Sequence, residues 1–167
     1  MTDKKINLSE SAVAFQFRTT RKVTIGILVS EWNASITSAL LEGAKSTLLA
    51  QGIDASQIKI YHVPGSFELS SAASMLFEAN DAIDAIICLG CVIQGETRHF
   101  EFISQAVANG ITQVAVDYNS PVIFGILTCD TMEQAEARAG GKHGNKGVEA
   151  AVSCLKMLML QDKIYNR

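Results

Sequence analysis

The run Ala85-Ile86-Ile87-Cys88-Leu89 carries no polar residue at any alternate position, and Val23-Thr24-Ile25-Gly26-Ile27-Leu28-Val29 is nearly as continuous. A strand that is apolar on both sides must be covered on both sides. That restricts it to the interior of a parallel sheet with helices on each face. Ile58-Lys59-Ile60-Tyr61-His62-Val63 adds an alternating strand stopped by Pro64-Gly65, and Pro121-Val122-Ile123-Phe124-Gly125-Ile126-Leu127 adds another apolar one. A further strand is expected at residues 112–116.

The segments between these runs have helical spacing. Ile36, Leu40, Ala44 and Leu48 form a fourfold stripe, with Asn33 placed as N-cap and Gly52 at C′. A helix over residues 67–79 turns Leu69, Ala72, Ala73 and Leu76 inward. The next runs through Phe100, Ile103 and Val107 to Gly110, and another covers about 131–139 before Gly140-Gly141. The last starts near Lys146, with the stripe Val148, Ala151, Val152, Leu155, Leu158 and Met159. Strands alternating with helices define an α/β chain: a three-layer α/β/α sandwich around a mainly parallel four-stranded sheet, flavodoxin-like in layout.

At 167 residues the chain fits one domain, assigned to residues 23–167 behind a polar arm at 1–22. The arm holds a short apolar patch, Val13-Ala14-Phe15-Gln16-Phe17, which is either disordered or free to extend a neighbour's sheet edge. A net charge of −3 argues against nucleic-acid binding, and no apolar run reaches the length of a membrane span. Lys4 and Lys5 have no apolar core behind them, so the start does not read as a signal peptide and a cytoplasmic location is expected. Cys88 and Cys91 have C-x-x-C spacing, yet three residues apart on a strand means opposite faces. Buried thiols, not a metal or redox pair, are the expectation there.

In an open α/β sheet the ligand crevice lies beyond the C-terminal ends of the strands. Three turns fall there: Glu31-Trp32-Asn33, Pro64-Gly65-Ser66-Phe67-Glu68, and Gly90 to His99. Gly95, Glu96 and Thr97 precede a helix start, where free N–H groups and one hydroxyl suit a phosphate monoester; a helix cap explains them as well. Neither the Walker lysine nor G-x-G-x-x-G spacing is present, so no nucleotide triphosphate or dinucleotide is indicated. His99, in the first turn of that helix, could transfer a proton or be a plain surface group; His62 and His143 lack a comparable setting. Trp32 fits an aromatic shelf for a flat heterocycle and a core-edge anchor equally. Phe67-Glu68 could meet a polyol, or Glu68 could simply favour the helix dipole. Arg138 and Lys146 bracket a glycine-rich loop and read as an anion clamp or as ordinary helix-terminal basic residues.

Taken in order, five blocks resemble the 6,7-dimethyl-8-ribityllumazine synthase family. They are Trp32-Asn33; Pro64-Gly65-Ser66-Phe67-Glu68; Leu89-Gly90-Cys91-Val92-Ile93-Gln94-Gly95-Glu96-Thr97-Arg98-His99-Phe100; Pro121 to Thr128; and Glu133 through Arg138 to Gly147. The resemblance implies condensation of 5-amino-6-(D-ribitylamino)uracil with 3,4-dihydroxy-2-butanone 4-phosphate, without metal or organic cofactor. It implies His99 as the proton-transfer group. Trp32, Asn33, Gly65, Ser66, Phe67, Glu68, Val92 and Ile93 would meet the pyrimidine and ribityl chain, and Glu96, Thr97 and Arg138 would hold the phosphate. Phe124, Arg138 and Lys146, the last near the pyrimidine carbonyl, would come from the neighbouring subunit of a homopentamer. The short 140–147 loop resembles that of members whose pentamers build a 60-subunit icosahedral shell, which could associate with riboflavin synthase. Three positions depart from the commoner pattern: Trp32 for phenylalanine, Gln94 for a basic residue, and Glu96 for a small one. Two rival readings on the same fold are a non-catalytic flavin or lumazine carrier and a purely structural shell protein.

Overall fold

The computed structural model describes Ser9 and residues 15–19, 21–79 and 82–165. Its central sheet holds β1 (Ile25–Ser30), β2 (Ile58–Val63), β3 (Ala85–Ile93) and β4 (Val122–Cys129) in the order β2-β1-β3-β4, with every pairing parallel. The helices are α1 (Ala34–Ala50), α2 (Leu69–Ala79), α3 (His99–Asp117), α4 (Met132–Arg138) and α5 (Lys146–Tyr165). A small antiparallel hairpin, β5 (Ala139–Gly141) with β6 (Gly144–Asn145), joins α4 to α5 and was not expected from the sequence.

The two-sided burial expected of β1 and β3 is present, and it divides the core in two. Ile25, Ile27, Val29, Ala85, Ile87 and Leu89 pack with Leu40, Leu48, Leu155 and Leu158 on the α1/α5 face. Leu28, Ile86 and Cys88 pack with Leu69, Leu76, Val107 and Ile111 on the α2/α3 face. Cys88 and Cys91 accordingly lie in different cores. All four thiols, Cys88, Cys91, Cys129 and Cys154, are buried, and desolvation raises the pKa of each. Native protein at pH 8 should therefore show no fast reaction with an aromatic disulfide reagent, and all four thiols should react after unfolding. A rapidly reacting thiol in the native titration would contradict this burial.

Three local readings need correction. Residues 112–116 are not a strand but the last turns of α3. Val107, Ile111 and Val114 are buried at helical spacing, and the Thr112 hydroxyl bonds back to the Ala108 carbonyl at 2.9 Å. Gly110 does not end this helix; a Cβ there would lie 2.7 Å from Ser70 Oγ, so the glycine lets α3 approach α2. Second, Gly90 to Ile93 belong to β3, which delays the turn to Gln94–Arg98. A Cβ at Gly90 would stand 2.5 Å from Ser66 Oγ, so this glycine too serves packing. Third, β2 alternates in sequence but is exposed along its middle, because it forms an edge of the sheet.

Within the arm, Val13 and Ala14 lie outside the described residues. Phe15 and Phe17 pack on the α1/α5 core, and Gln51 bonds the backbone of both. Arg21 pairs with Asp84 and Asp162, fixing the arm's end against β3 and α5.

The join between hairpin and α5 rests on Asn145. Its Oδ1 accepts from the N–H groups of Gly147 (2.8 Å) and Val148 (3.3 Å), and its Nδ2 donates to the Ala39 carbonyl in α1 at 2.9 Å. Replacing Asn145 by alanine removes a helix cap and leaves the Ala39 carbonyl short of a donor. The expected loss is about 2 kcal/mol of stability, read as a lower denaturant midpoint at unchanged m-value. An unchanged midpoint would show that α5 needs no such cap.

Candidate active site

The C-terminal ends of β1, β2 and β3 converge on one cleft of ≈ 580 Å³. Trp32 and Asn33 contribute from the turn after β1, and Gly65, Ser66, Phe67 and Glu68 from the turn after β2. Cys91, Val92 and Ile93 come from the end of β3, and His99 and Ile103 from the start of α3. The three turns singled out in the sequence thus meet, as crevice logic requires.

Each wall has a local cause. Trp32 is 72% exposed, which removes the core-anchor reading and leaves its ring free to meet a ligand. Asn33 precedes α1 in a left-handed conformation (φ 57°, ψ 47°), which asparagine tolerates better than most residues. Its side chain does not cap α1, contrary to expectation; Nδ2 instead donates to the Cys91 carbonyl at 3.0 Å, tying the first turn to the end of β3. At Gly65 a Cβ would meet Glu68 Oε2 at 3.0 Å and the Trp32 ring at 3.4 Å, so these three groups form one tight corner. Phe67 is half exposed beside it. The Ser66 hydroxyl is buried toward Gly90 and has no hydrogen-bond partner among the described residues.

The 94–98 segment forms the rim between Ile93 and His99. Gln94 Nε2 folds back onto the Gly95 carbonyl at 2.8 Å, and the Thr97 hydroxyl accepts from the His99 N–H at 3.4 Å. Glu96 and Thr97 are exposed and do not line the cleft, and nothing lies within 4 Å of a Cβ placed on Gly95. Arg98 turns outward to pair with Glu101 at 3.0 Å. Cys91, in the cleft wall, has its thiol pushed up to about 12 by burial, with a smaller contribution from Cys129. It stays protonated at neutral pH and offers no nucleophile.

Phe124, Arg138 and Lys146 do not line this cleft within one chain. Phe124 packs on the α2/α3 core from β4. Arg138 ends α4 and Lys146 begins α5, so the hairpin brings two basic side chains together over one carboxylate, that of Glu149. Glu149 went unnoticed in the sequence because a first-turn glutamate ordinarily marks only the helix dipole.

The cleft sets an exposed aromatic ring and a histidine at a helix start just beyond the strand ends, the place where open α/β sheets take small ligands. The family model for 6,7-dimethyl-8-ribityllumazine synthase matches residues 22–162, and the chain belongs to that family. It is 55% identical over 141 residues to the 6,7-dimethyl-8-ribityllumazine synthase of Porphyromonas gingivalis, covering 84% of this chain and 87% of that one. With the corresponding protein of Cytophaga hutchinsonii it shares 59% identity over 133 residues, 80% of this chain and 83% of the other. The synthase of Bacteroides fragilis is 52% identical over 133 residues, covering 80% and 92%.

Proposed function

We propose that the chain joins 5-amino-6-(D-ribitylamino)uracil to 3,4-dihydroxy-2-butanone 4-phosphate, giving 6,7-dimethyl-8-ribityllumazine, phosphate and water in riboflavin biosynthesis. Family membership supports the reaction. The observation that carries the site is the meeting of Trp32, Asn33, the 65–68 turn, Val92-Ile93 and His99 in one cleft. The exposed Trp32 ring stacks on the pyrimidine; Glu68 and backbone groups of the 65–68 turn hold the ring edge and ribityl hydroxyls.

The amine of the uracil attacks the ketone carbonyl, and loss of water forms the imine. Proton loss from the carbon bearing the hydroxyl lets phosphate leave, the enol so formed becomes a ketone, and the ribitylamino nitrogen attacks that carbonyl and closes the ring with loss of a second water. Both reactants bring the groups they need, so the protein mainly contributes orientation, worth up to about 7–11 kcal/mol. His99, at the mouth of the cleft, moves protons between nitrogen and oxygen. The phosphate sits at the N-terminal end of α3 against the 96–97 backbone, where free N–H groups and the helix dipole favour an anion. Glu96 keeps its carboxylate outward, toward solvent.

The clamp comes from the next subunit of a homopentamer, whose Phe124, Arg138 and Lys146 complete the site. Two features support this: those residues do not reach the cleft of their own chain, and the α3 and α5 surfaces leave Phe102, Val116, Leu160 and Ile164 exposed. The short hairpin between α4 and α5 fits pentamers closing into an icosahedral shell of 60 subunits, able to associate with riboflavin synthase in the cytoplasm. The domain is assigned to residues 23–167 and the arm to 1–22, with Phe15 and Phe17 of the arm packed on the domain's core. Among the described residues no helix is long and apolar enough to cross a membrane.

Supplying both substrates and following ribityllumazine fluorescence together with phosphate release tests the reaction. Equimolar appearance of the two products is expected. Binding of ribityllumazine without turnover would favour the carrier reading instead.

A further inference from the structure

Among the described residues, Glu149 is the most deeply buried acidic group, with 4% of its side chain exposed. It sits in the first turn of α5 and takes no part in the cleft. Arg138 Nη2 lies 3.0 Å from Oε1 and 3.1 Å from Oε2, and Lys146 Nζ lies 3.4 Å from Oε2. Nη1 of Arg138 donates to the His143 carbonyl at 2.9 Å, so the guanidinium is gripped from two sides. Two cations over one buried carboxylate leave a net positive charge. The other guanidinium N–H groups meet no acceptor among the described residues.

Resting on the reading that Arg138 binds the substrate phosphate, we propose that Glu149 is a positioning residue that fixes the phosphate clamp before substrate arrives. A free arginine side chain at the end of a seven-residue helix would sample many rotamers and lose that freedom on binding. Anchoring the guanidinium in advance moves this ordering from the binding step to the folding step, which strengthens binding. The anchor is itself set by the fold: Asn145 caps α5 one turn before Glu149, and the hairpin carries Arg138 and the His143 carbonyl to the same place. Lys146 is held more loosely, by its longer contact.

The test uses the assembled protein and four variants: Glu149→Gln, Glu149→Ala, Arg138→Ala, and the Glu149→Ala/Arg138→Ala double variant. Steady-state constants are measured for each substrate with the other saturating, along with inhibition by inorganic phosphate and the melting temperature. KM for the butanone phosphate should rise about tenfold in Glu149→Ala, the scale of one charge-assisted contact. In Glu149→Gln, whose amide oxygen still accepts from Arg138, it should rise about threefold. The phosphate inhibition constant should rise in parallel, and KM for the uracil should change less. The double variant should match Arg138→Ala, because the carboxylate acts through that guanidinium.

A fall in melting temperature with KM for the phosphate substrate unchanged would assign Glu149 to folding alone and overturn the proposal. Tighter phosphate binding would also overturn it, since the carboxylate would then only offset charge. So would a further rise in the double variant. Arg138→Ala separates the two readings: if it leaves that KM unmoved, the assignment of the clamp to phosphate fails first. If it raises KM while the Glu149 variants do not, only the positioning role fails. Glu149→Gln, close in shape to the native side chain, keeps the test available should Glu149→Ala not fold.

Discussion

Replacing Arg138 by alanine should lower kcat/KM for the butanone phosphate by about two to four orders of magnitude. The expectation follows from two charge-assisted hydrogen bonds to phosphate, each about 1.5–3 kcal/mol, against 1.36 kcal/mol per decade. The loss should appear in KM for the phosphate substrate and also in kcat, because the clamp holds the group that leaves and stabilises its charge as the C–O bond breaks. Arg138→Lys should recover only part, since a lysine keeps charge but not the planar fork that reaches Glu149, the His143 carbonyl and an anion together. Removing the guanidinium also deprives a buried carboxylate of its nearer partner, leaving Lys146 at 3.4 Å. A lower melting temperature should therefore accompany the kinetic effect. Steady-state kinetics on folded protein, with circular dichroism as control, checks both parts. An unchanged KM for the phosphate substrate would remove Arg138 from the site.

His99→Ala should slow kcat by about one to two orders of magnitude, at the weak end of general acid–base catalysis. Both KM values should stay close to their original size. His99 stands at the first position of α3 on the cleft wall, with its N–H near the Thr97 hydroxyl, and its removal leaves the cleft walls in place. Orientation of the reactants by the remaining walls accounts for the residual rate. Single-turnover measurements distinguish this from a binding defect. Complete loss of turnover in a folded variant that still binds the uracil would mean that the imidazole does far more than move protons.

Much of the frame was legible in the sequence. β1 and β3 announced themselves by apolar residues on both faces, and the sheet order follows from burying those two strands in the middle. The 112–116 segment misled because its β-branched residues weigh toward strand, while Val107, Ile111 and Val114 already had the helical spacing that packing enforces. Gly90 and Gly110 looked like chain reversals; each instead admits a neighbouring serine, a tertiary reason that no local pattern carries. Asn33 looked like a cap and turned out to be a tie to β3, since its left-handed backbone directs the side chain elsewhere. The three turns of the cleft were found from strand-end logic, while the roles of their residues came from the family resemblance and Ile103 was missed; the joint hold of Glu149 on Arg138 and Lys146 depends on a hairpin whose strands are too short to leave a periodic signal.

Mixed assemblies provide the most direct test of a site shared between subunits. His99→Ala chains and Arg138→Ala chains, each about tenfold or more below native activity alone, are unfolded together and reassembled at equal ratio. If the cleft of one chain is completed by the arginine of the next, roughly a quarter of the sites receive both native residues, and activity should return to about that fraction of the native value. If His99 and Arg138 serve the same site from one chain, every site in the mixture lacks one of them, and activity should stay at the level of the separate variants.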